Sequence, residues 1–297
     1  MADTIQTIVC AFCEGNHHRF FCRKDGFSLY RCVGCGHGVV WPLPSDVSEI
    51  YTKDYFTGAK SGFGYVDYDR DKEPMRTLLN QSIFQIESFL GVMHAPKKGK
   101  ILDVGAATGF FLDIARERGW DVHGVEVSDF AASIARDKGI AMTTGTLADL
   151  QDAQESFVAV TLWDVIEHVQ NPLEELRRAA GLLAPGGVLL MTTPGLSSLY
   201  ARFLGKRWHL IVPPEHLHYF TRRSMRLLLK KAGLEVLDIS GPSKSFTLSY
   251  IFQTLARWQG PLVWGKVAQF LKNRPMIGGL SIPVPLRDNM LVLARKI

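Results

Sequence analysis

The chain has 297 residues, 46% apolar and 21% charged, a globular balance with room for one large domain beside a small one. Its net charge of +5 is mild and spread along the chain, so composition gives no argument for a nucleic-acid partner. No run of about 18 uncharged apolar residues occurs, and the opening MADTIQTIVC lacks the basic and apolar regions of a signal peptide, so a cytoplasmic protein without a spanning helix is expected.

All five cysteines lie between Cys10 and Cys35. Cys10-Ala-Phe-Cys13 and Cys32-Val-Gly-Cys35 are two C-x2-C knuckles, each aiming two sulfurs at one point. Together they offer four thiolates to a tetrahedral Zn²⁺. The segment between them alternates around an Asp25-Gly26 turn, as the hairpins of a zinc ribbon do. Disulfides are the alternative, and His17, His18 and His37 are alternate ligands. Cys22, in mid-hairpin, reads as a buried apolar residue. So short a segment cannot fold on apolar burial alone, so the metal is expected to supply folding energy. Four thiolates leave no open coordination position, which favours a structural or docking role over a catalytic one.

Trp41-Pro-Leu-Pro44 ends this module as an extended linker. Ser45 to Tyr55 reads as a short helix with Ser45 as N-cap. Thr57 to Asp69 is a glycine- and tyrosine-rich loop containing Tyr65 and Tyr68. From Pro74 to about Met93, Leu79, Ile83, Ile86 and Leu90 recur at helical spacing.

Ile101 to Ser128, ILDVGAATGFFLDIARERGWDVHGVEVS, reads as strand, glycine-bounded turn, helix, strand: one βαβ unit of a doubly wound sheet. Glycines admit a ligand to backbone N–H groups and permit unusual φ/ψ. Glu126 follows Gly105 at the interval of a carboxylate that accepts ribose hydroxyls. No Gly-Lys-Ser/Thr follows, which excludes a P-loop, and the turn Gly105-Ala-Ala-Thr-Gly109 is not the G-x-G-x-x-G of a dinucleotide site. The stretch resembles motifs I and II of the class I S-adenosylmethionine (SAM)-dependent methyltransferases. The resemblance implies that Asp103, Gly105, Ala106 and Gly109 surround the methionine part of SAM and that Glu126, with Val127 beside it, takes the ribose. Ala107 replaces the usual middle glycine, so a negative φ is expected there.

Asp129 to Lys138 follows as a helix with Ser128 as N-cap, then a weaker strand and turn around Ile140 to Leu150. By resemblance the loop at Leu147-Ala148 lies against the adenine, although Thr146 stands where an acidic residue is usual. Phe157 to Trp163 is the fourth strand of the sheet. Asp164, Glu167 and His168 follow at its carboxyl end, the edge where open α/β sheets bind ligands. Asn171-Pro172 starts a helix through Leu183, and Val188 to Thr193 is the fifth strand. The run DVIEHVQNPLEELRRAAGLLAPGGVLLMTTPG resembles a subgroup that includes ubiquinone-type O-methyltransferases and sugar methyltransferases.

Leu196 to Tyr219 is long for a connection and rich in aromatic and histidine residues, with Pro213-Pro214 leading to Glu215-His216. The resemblance makes it the acceptor side of the pocket. Thr221 caps a helix through Ala232, Leu234 to Ile239 is the sixth strand, and Met290 to Lys296 is the last, which the resemblance implies inserts antiparallel beside the sixth. Between them, Phe246 to Gln259 and Leu262 to Lys272 read as helices split by Gly260-Pro261. Residues 246–272 are expected to form a lid or a homodimer face, with peripheral membrane contact as the alternative.

The expected fold is thus α/β: a doubly wound, Rossmann-like seven-stranded sheet with its last strand antiparallel, preceded by a small N-terminal zinc-ribbon module. Residues 1–44 are the ribbon, 45–99 a helical lead-in and lid, and 100–297 the methyltransferase domain with helices inserted at about 242–289. The expected cofactors are SAM, held by Asp103, Gly105, Ala106, Gly109, Glu126, Val127, Ala148, Asp164 and Tyr68, and a structural Zn²⁺ on Cys10, Cys13, Cys32 and Cys35. The partner is a small-molecule methyl acceptor, most readily a hydroxyl of a sugar, lipid or secondary metabolite; N- or C-methylation and a non-catalytic docking protein are the alternatives. Nucleic acid is not expected, since no Asn-Pro-Pro-Tyr-like tetrapeptide follows the fourth strand. Hydroxyl methylation needs a base. His216 and His168 are the candidates, with Glu167 orienting an imidazole, and His216 is favoured because Pro213-Pro214 fixes its approach.

Overall fold

Strand β4, Lys100–Val104, carries apolar residues on both faces and is buried along most of its length, as a central parallel strand must be. The computed structural model, which describes residues 8–44, 68–150, 154–242, 244–259, 261–284 and 287–297, builds a seven-stranded sheet around it. Its other strands are β5 (Asp121–Glu126), β6 (Ala141–Thr144), β7 (Phe157–Trp163), β8 (Leu183–Pro194), β10 (Leu234–Ser240) and β13 (Asn289–Lys296), in the order β10-β13-β8-β7-β4-β5-β6. The β13 strand is antiparallel to both neighbours, and the pairs from β8 to β6 are parallel.

Two apolar cores cover the two faces. Helices α2 (Arg76–Leu90) and α3 (Phe110–Glu117) lay Ile83, Ile86, Phe111 and Ile114 on one face, beside Ala135 of α4 (Asp129–Asp137). Helices α5 (Pro172–Leu182) and α7 (Arg222–Lys231) lay Leu176, Met225 and Leu228 on the other. A short helix α1 (Tyr68–Lys72) and a one-turn helix, Glu73–Met75, lead into α2, which stops at left-handed Gly91. The expected helix at Ser45 to Tyr55 and most of the Thr57 to Asp69 loop lie outside the described residues.

The helix starts follow the sequence in part. The Asn171 side chain accepts from Glu174 N–H at 3.2 Å, and Thr221 and Ser224 form a reciprocal capping box. Ser128 precedes α4 but makes no side-chain cap; its N–H instead donates to Glu126 Oε1 at 2.8 Å.

The amino-terminal strands β1 (His18–Lys24), β2 (Phe27–Cys32) and β3 (Gly38–Val40) form a second sheet completed by β9 (His218–Tyr219), from the long connection after β8. That connection also carries α6 (Leu199–Leu204). The region between β10 and β13 holds α8 (Leu248–Gln259), α9 (Pro261–Lys272) and α10 (Pro275–Gly278). Phe246, expected in a helix, lies instead in β11 (Lys244–Thr247), which pairs antiparallel with β12 (Ser281–Val284). Among the described residues no helix is long and apolar enough to cross a membrane.

Candidate active site

The turn after β4 is the first wall. Gly105 and Gly109 take φ of 69° and 78°. A Cβ added at Gly105 would meet Val165 Cγ2 at 2.6 Å, so neither conformation nor space admits a side chain. Ala107 differs from expectation, because its φ is +49° rather than negative. A left-handed alanine costs about 1–2 kcal/mol. The compensation is visible: Ala107 N–H donates to Glu126 Oε2 at 2.9 Å. The second oxygen of Glu126 accepts from Ser128 N–H, so one buried carboxylate ties the turn to the end of β5. Each oxygen keeps a further lone pair for a hydroxyl donor.

Asp103, only 2% exposed, accepts from Thr161 Oγ1 at 2.6 Å. Burial, opposed by the Thr161 hydrogen bond and helped by the neighbouring Glu126 charge, pushes its carboxyl up to about 8. Ala106 is buried behind the turn, with its N–H on Val125 O at 3.1 Å. Val127 is 48% exposed at the rim. Ala148 is exposed on the loop beyond β6, where Asp149 folds back to accept from both the N–H and the hydroxyl of Thr146 at 2.9 Å. Tyr68 packs against Ala107 and Ala131, and its neighbour Asp69 accepts from Thr108 Oγ1 and from Lys138 Nζ, fastening α1 over the turn.

At the end of β7, Asp164 takes φ of +55°, a strained position of the kind that collects at functional sites. Its Oδ1 accepts from Thr192 Oγ1 at 2.9 Å and Asn289 Nδ2 at 3.0 Å. Lys72 of α1 lies among Tyr68, Asp164 and Tyr250. Burial works against its charge, yet these three neighbours raise its pKa overall. The region between β10 and β13 therefore reaches the site through Tyr250.

The two candidate bases form one cluster rather than alternatives. The His168 and His216 rings lie 4.8 Å apart, and one ligand atom from each converges with a Glu167 oxygen, all within 4.8 Å of one another. Glu167 Oε2 accepts from Thr193 Oγ1 at 2.9 Å. His168 Nδ1 lies 2.7 Å from Glu215 O, and His216 Nδ1 lies 2.8 Å from Leu210 O. A carbonyl only accepts, so each Nδ1 carries a proton and directs Nε2 into the cluster, that of His168 lying 3.9 Å from Glu167 Oε1. Burial, then the neighbouring His168, pushes His216 down to about 3, so it is neutral at pH 7.

In the amino-terminal module the four knuckle sulfurs also converge. Cys10 Sγ lies 3.6 Å from Cys35 Sγ, and Cys13 Sγ 3.4 Å from Cys32 Sγ. A tetrahedron with metal–sulfur bonds of about 2.3 Å spaces its sulfurs about 3.8 Å apart, so the set fits one ion. All five cysteines are unbonded. Cys22 is buried in an apolar cluster with Leu29 and Tyr219, as expected.

A family model described as a methyltransferase domain matches residues 70–239, more than half of the chain. The chain belongs to this methyltransferase family. The ubiquinone biosynthesis O-methyltransferase of Pseudomonas aeruginosa is 28% identical over 155 residues, 48% of this chain and 67% of that one. The protein of the same description from Xanthomonas axonopodis pv. citri is 26% identical over 190 residues, 59% of this chain and 77% of that one. A candidate methyltransferase of known structure from Bacillus halodurans superposes with a TM-score of 0.50 at 16% identity, covering 72% of this chain and 99% of that chain. This likeness shows the shared fold. The chain is a class I SAM-dependent methyltransferase, and so an enzyme.

SAM is a cation with a ribose, and this methyltransferase has chemistry to match. Asp103 is a buried acid that a neighbouring cation would draw to its charged form, and Glu126 has spare lone pairs for hydroxyls. Sequence reasoning missed Thr161, Thr192, Asn289 and Lys72. Each is defined by a tertiary partner, and no local spacing marks it. Thr192 and Asn289 do sit at the carboxyl end of β8 and the start of β13, and that placement was the available signal.

Proposed function

We propose that this methyltransferase carries the methyl group of SAM to a hydroxyl oxygen of a small organic molecule. The observation that carries the reading is the convergence of Glu167, His168 and His216 after the carboxyl end of β7. The likeness to the Pseudomonas and Xanthomonas ubiquinone biosynthesis O-methyltransferases supports the same acceptor class. When bound, SAM supplies a methyl group already activated on a sulfonium. The protein must therefore align the acceptor and remove its proton. We assign the donor side to Asp103, Gly105, Ala106, Gly109, Glu126, Val127, Ala148, Asp164 and Tyr68.

The acceptor proton goes to His168. His216, held near 3 by burial, is too weak a base at pH 7 to be the first choice, and it serves as a neutral neighbour that accepts a hydrogen bond through Nε2. Glu167, anchored by Thr193, steadies the imidazolium that forms. A second reading uses the same atoms. Two imidazoles, each backed by a carbonyl on Nδ1, together with a carboxylate, are also the donor set of a divalent cation. A cation there would lower the pKa of a coordinated hydroxyl.

His168→Ala is the test. Turnover is expected to fall by about a hundredfold or more with SAM affinity unchanged, and to recover in part at high pH, where the acceptor ionises unaided. Full activity in this variant would refute the assignment. Loss of wild-type turnover on dialysis against a chelator that leaves the ribbon metal in place, with return on adding Mg²⁺, would select the cation reading. We further propose that Cys10, Cys13, Cys32 and Cys35 hold Zn²⁺, that α8 and α9 form a lid or dimer face, and that the protein works in the cytoplasm.

A further inference from the structure

We propose that the four-cysteine ribbon is a clamp on the acceptor loop, fixing where His216 stands, and not a separate docking module. The sheet of the ribbon is incomplete without the catalytic body. Strand β3 pairs with β9, Gly38 opposite Tyr219 and Val39 opposite His218. Val40 N–H donates to Leu217 O at 2.9 Å. The N–H groups of Leu217 and His218 in turn donate to Glu167 O at 2.9 and 3.0 Å. One residue, Leu217, thus links the ribbon on its carbonyl side to the catalytic carboxylate residue on its amide side, directly after His216.

Side chains close the same joint. Thr221 Oγ1 donates to the carbonyl of Cys35, one of the four knuckle residues, at 2.8 Å. The His37 and His218 rings stack with centroids 5.3 Å apart, Phe12 stacks on Phe220, and Lys24 Nζ donates to Ile211 O. Lys231 of α7 reaches back to Glu14 at 2.6 Å. Cys10, Phe12, Cys32 and Cys35 share one buried core with Phe220, Met225 and Leu228, while Val40 and Cys22 share another with Trp208, Ile211 and Tyr219. The loop from Trp208 to Phe220 is thus held by the ribbon at both ends, at Trp208 and Ile211 and again from Leu217 to Phe220. A metal that folds the ribbon therefore also sets the position of the acceptor-side histidine, while Asp103, Gly105 and Glu126 make none of these hydrogen bonds.

The consequence for catalysis rests on the acceptor-side reading above. The clamp does not, and amide hydrogen exchange in the full-length, metal-loaded protein reads it without turnover. Two variants approach it from different sides. Cys13→Ser with Cys32→Ser removes two sulfurs. Gly38→Val leaves all four, but a Cβ at Gly38 already meets Tyr219 Cβ at 3.0 Å and Leu196 Cδ2 at 3.2 Å, so valine must push β3 from β9. Each variant is expected to speed exchange at Leu217 and His218 by about tenfold or more, with SAM affinity changed by less than about twofold. Gly38→Val is expected to retain its metal by elemental analysis and still lose turnover. Unchanged exchange at these amides in both variants would overturn the clamp and make the ribbon self-contained. Faster exchange with full turnover would uphold the clamp and overturn the acceptor-side reading instead.

Discussion

Asp103 gives the sharpest prediction because its environment is half complete. Burial holds its carboxyl at about 8 in the free protein, with only the Thr161 hydroxyl working against that. At pH 7 such a group is protonated in about nine molecules of ten. A cationic ligand beside it favours the carboxylate, so binding SAM should expel close to 0.9 proton per site at pH 7, by the same arithmetic. Giving up that proton costs about 1.4 kcal/mol at pH 7. The apparent affinity should therefore rise about tenfold per pH unit below 8 and level off above it. In the free protein the sign is the reverse of the usual carboxylate case. The folded state holds this proton more tightly than the unfolded chain does. The stability that Asp103 contributes is therefore complete below its ordinary value of 3.8 and is lost as pH rises through about 8. The assay is calorimetry of SAM binding at pH 7 in two buffers of different ionisation enthalpy. The apparent enthalpy should differ between buffers by their ionisation difference multiplied by the protons released. Asp103→Asn should remove most of that difference, and any remainder reports Glu126, whose carboxyl burial also raises. Equal enthalpies in both buffers, or an undiminished difference in Asp103→Asn, would refute the reasoning.

Glu126→Ala strips the partner from two buried N–H groups, those of Ala107 and Ser128, each worth about 1–3 kcal/mol. It should lower the melting temperature and weaken SAM binding by on the order of tenfold to a hundredfold. An unchanged melting temperature would show that the carboxylate does not hold the turn. Elemental analysis of the freshly purified protein should return one zinc per chain, and a mass consistent with two disulfides would contradict the sulfur geometry.

Much of the sheet was legible because its strands are long apolar runs punctuated by glycine. Ile101 to Val104 and Phe157 to Trp163 read correctly for that reason, and the strand read as Val122 to Val127 is displaced by one residue at each end from β5, Asp121–Glu126. What failed was set at a distance. The φ of Ala107 depends on a carboxylate nineteen residues later, reached only when β4 and β5 pair. Ser128 looks like a cap by position, but its backbone amide was the group needed. Phe246 stands in a short apolar run, where periodicity cannot separate strand from helix. The two-residue β9 has no pattern at all. It exists because β3, about 180 residues earlier, supplies its partner, and no local spacing shows that the ribbon and the His216 loop share a sheet. The histidines were visible as residues. That His168 and His216 share one cluster, with their Nδ1 atoms spent on the carbonyls of Glu215 and Leu210, was not.

The most direct test of the account is the chemical class of the transferred methyl group. The wild-type protein is incubated with SAM labelled at the methyl carbon and a panel of small phenols, sugar alcohols, amines and activated carbon acids, and the labelled product is read by NMR. The account predicts a methoxy signal on a hydroxyl acceptor, lost in His168→Ala. A labelled N-methyl or C-methyl product, with no methoxy product, would contradict it.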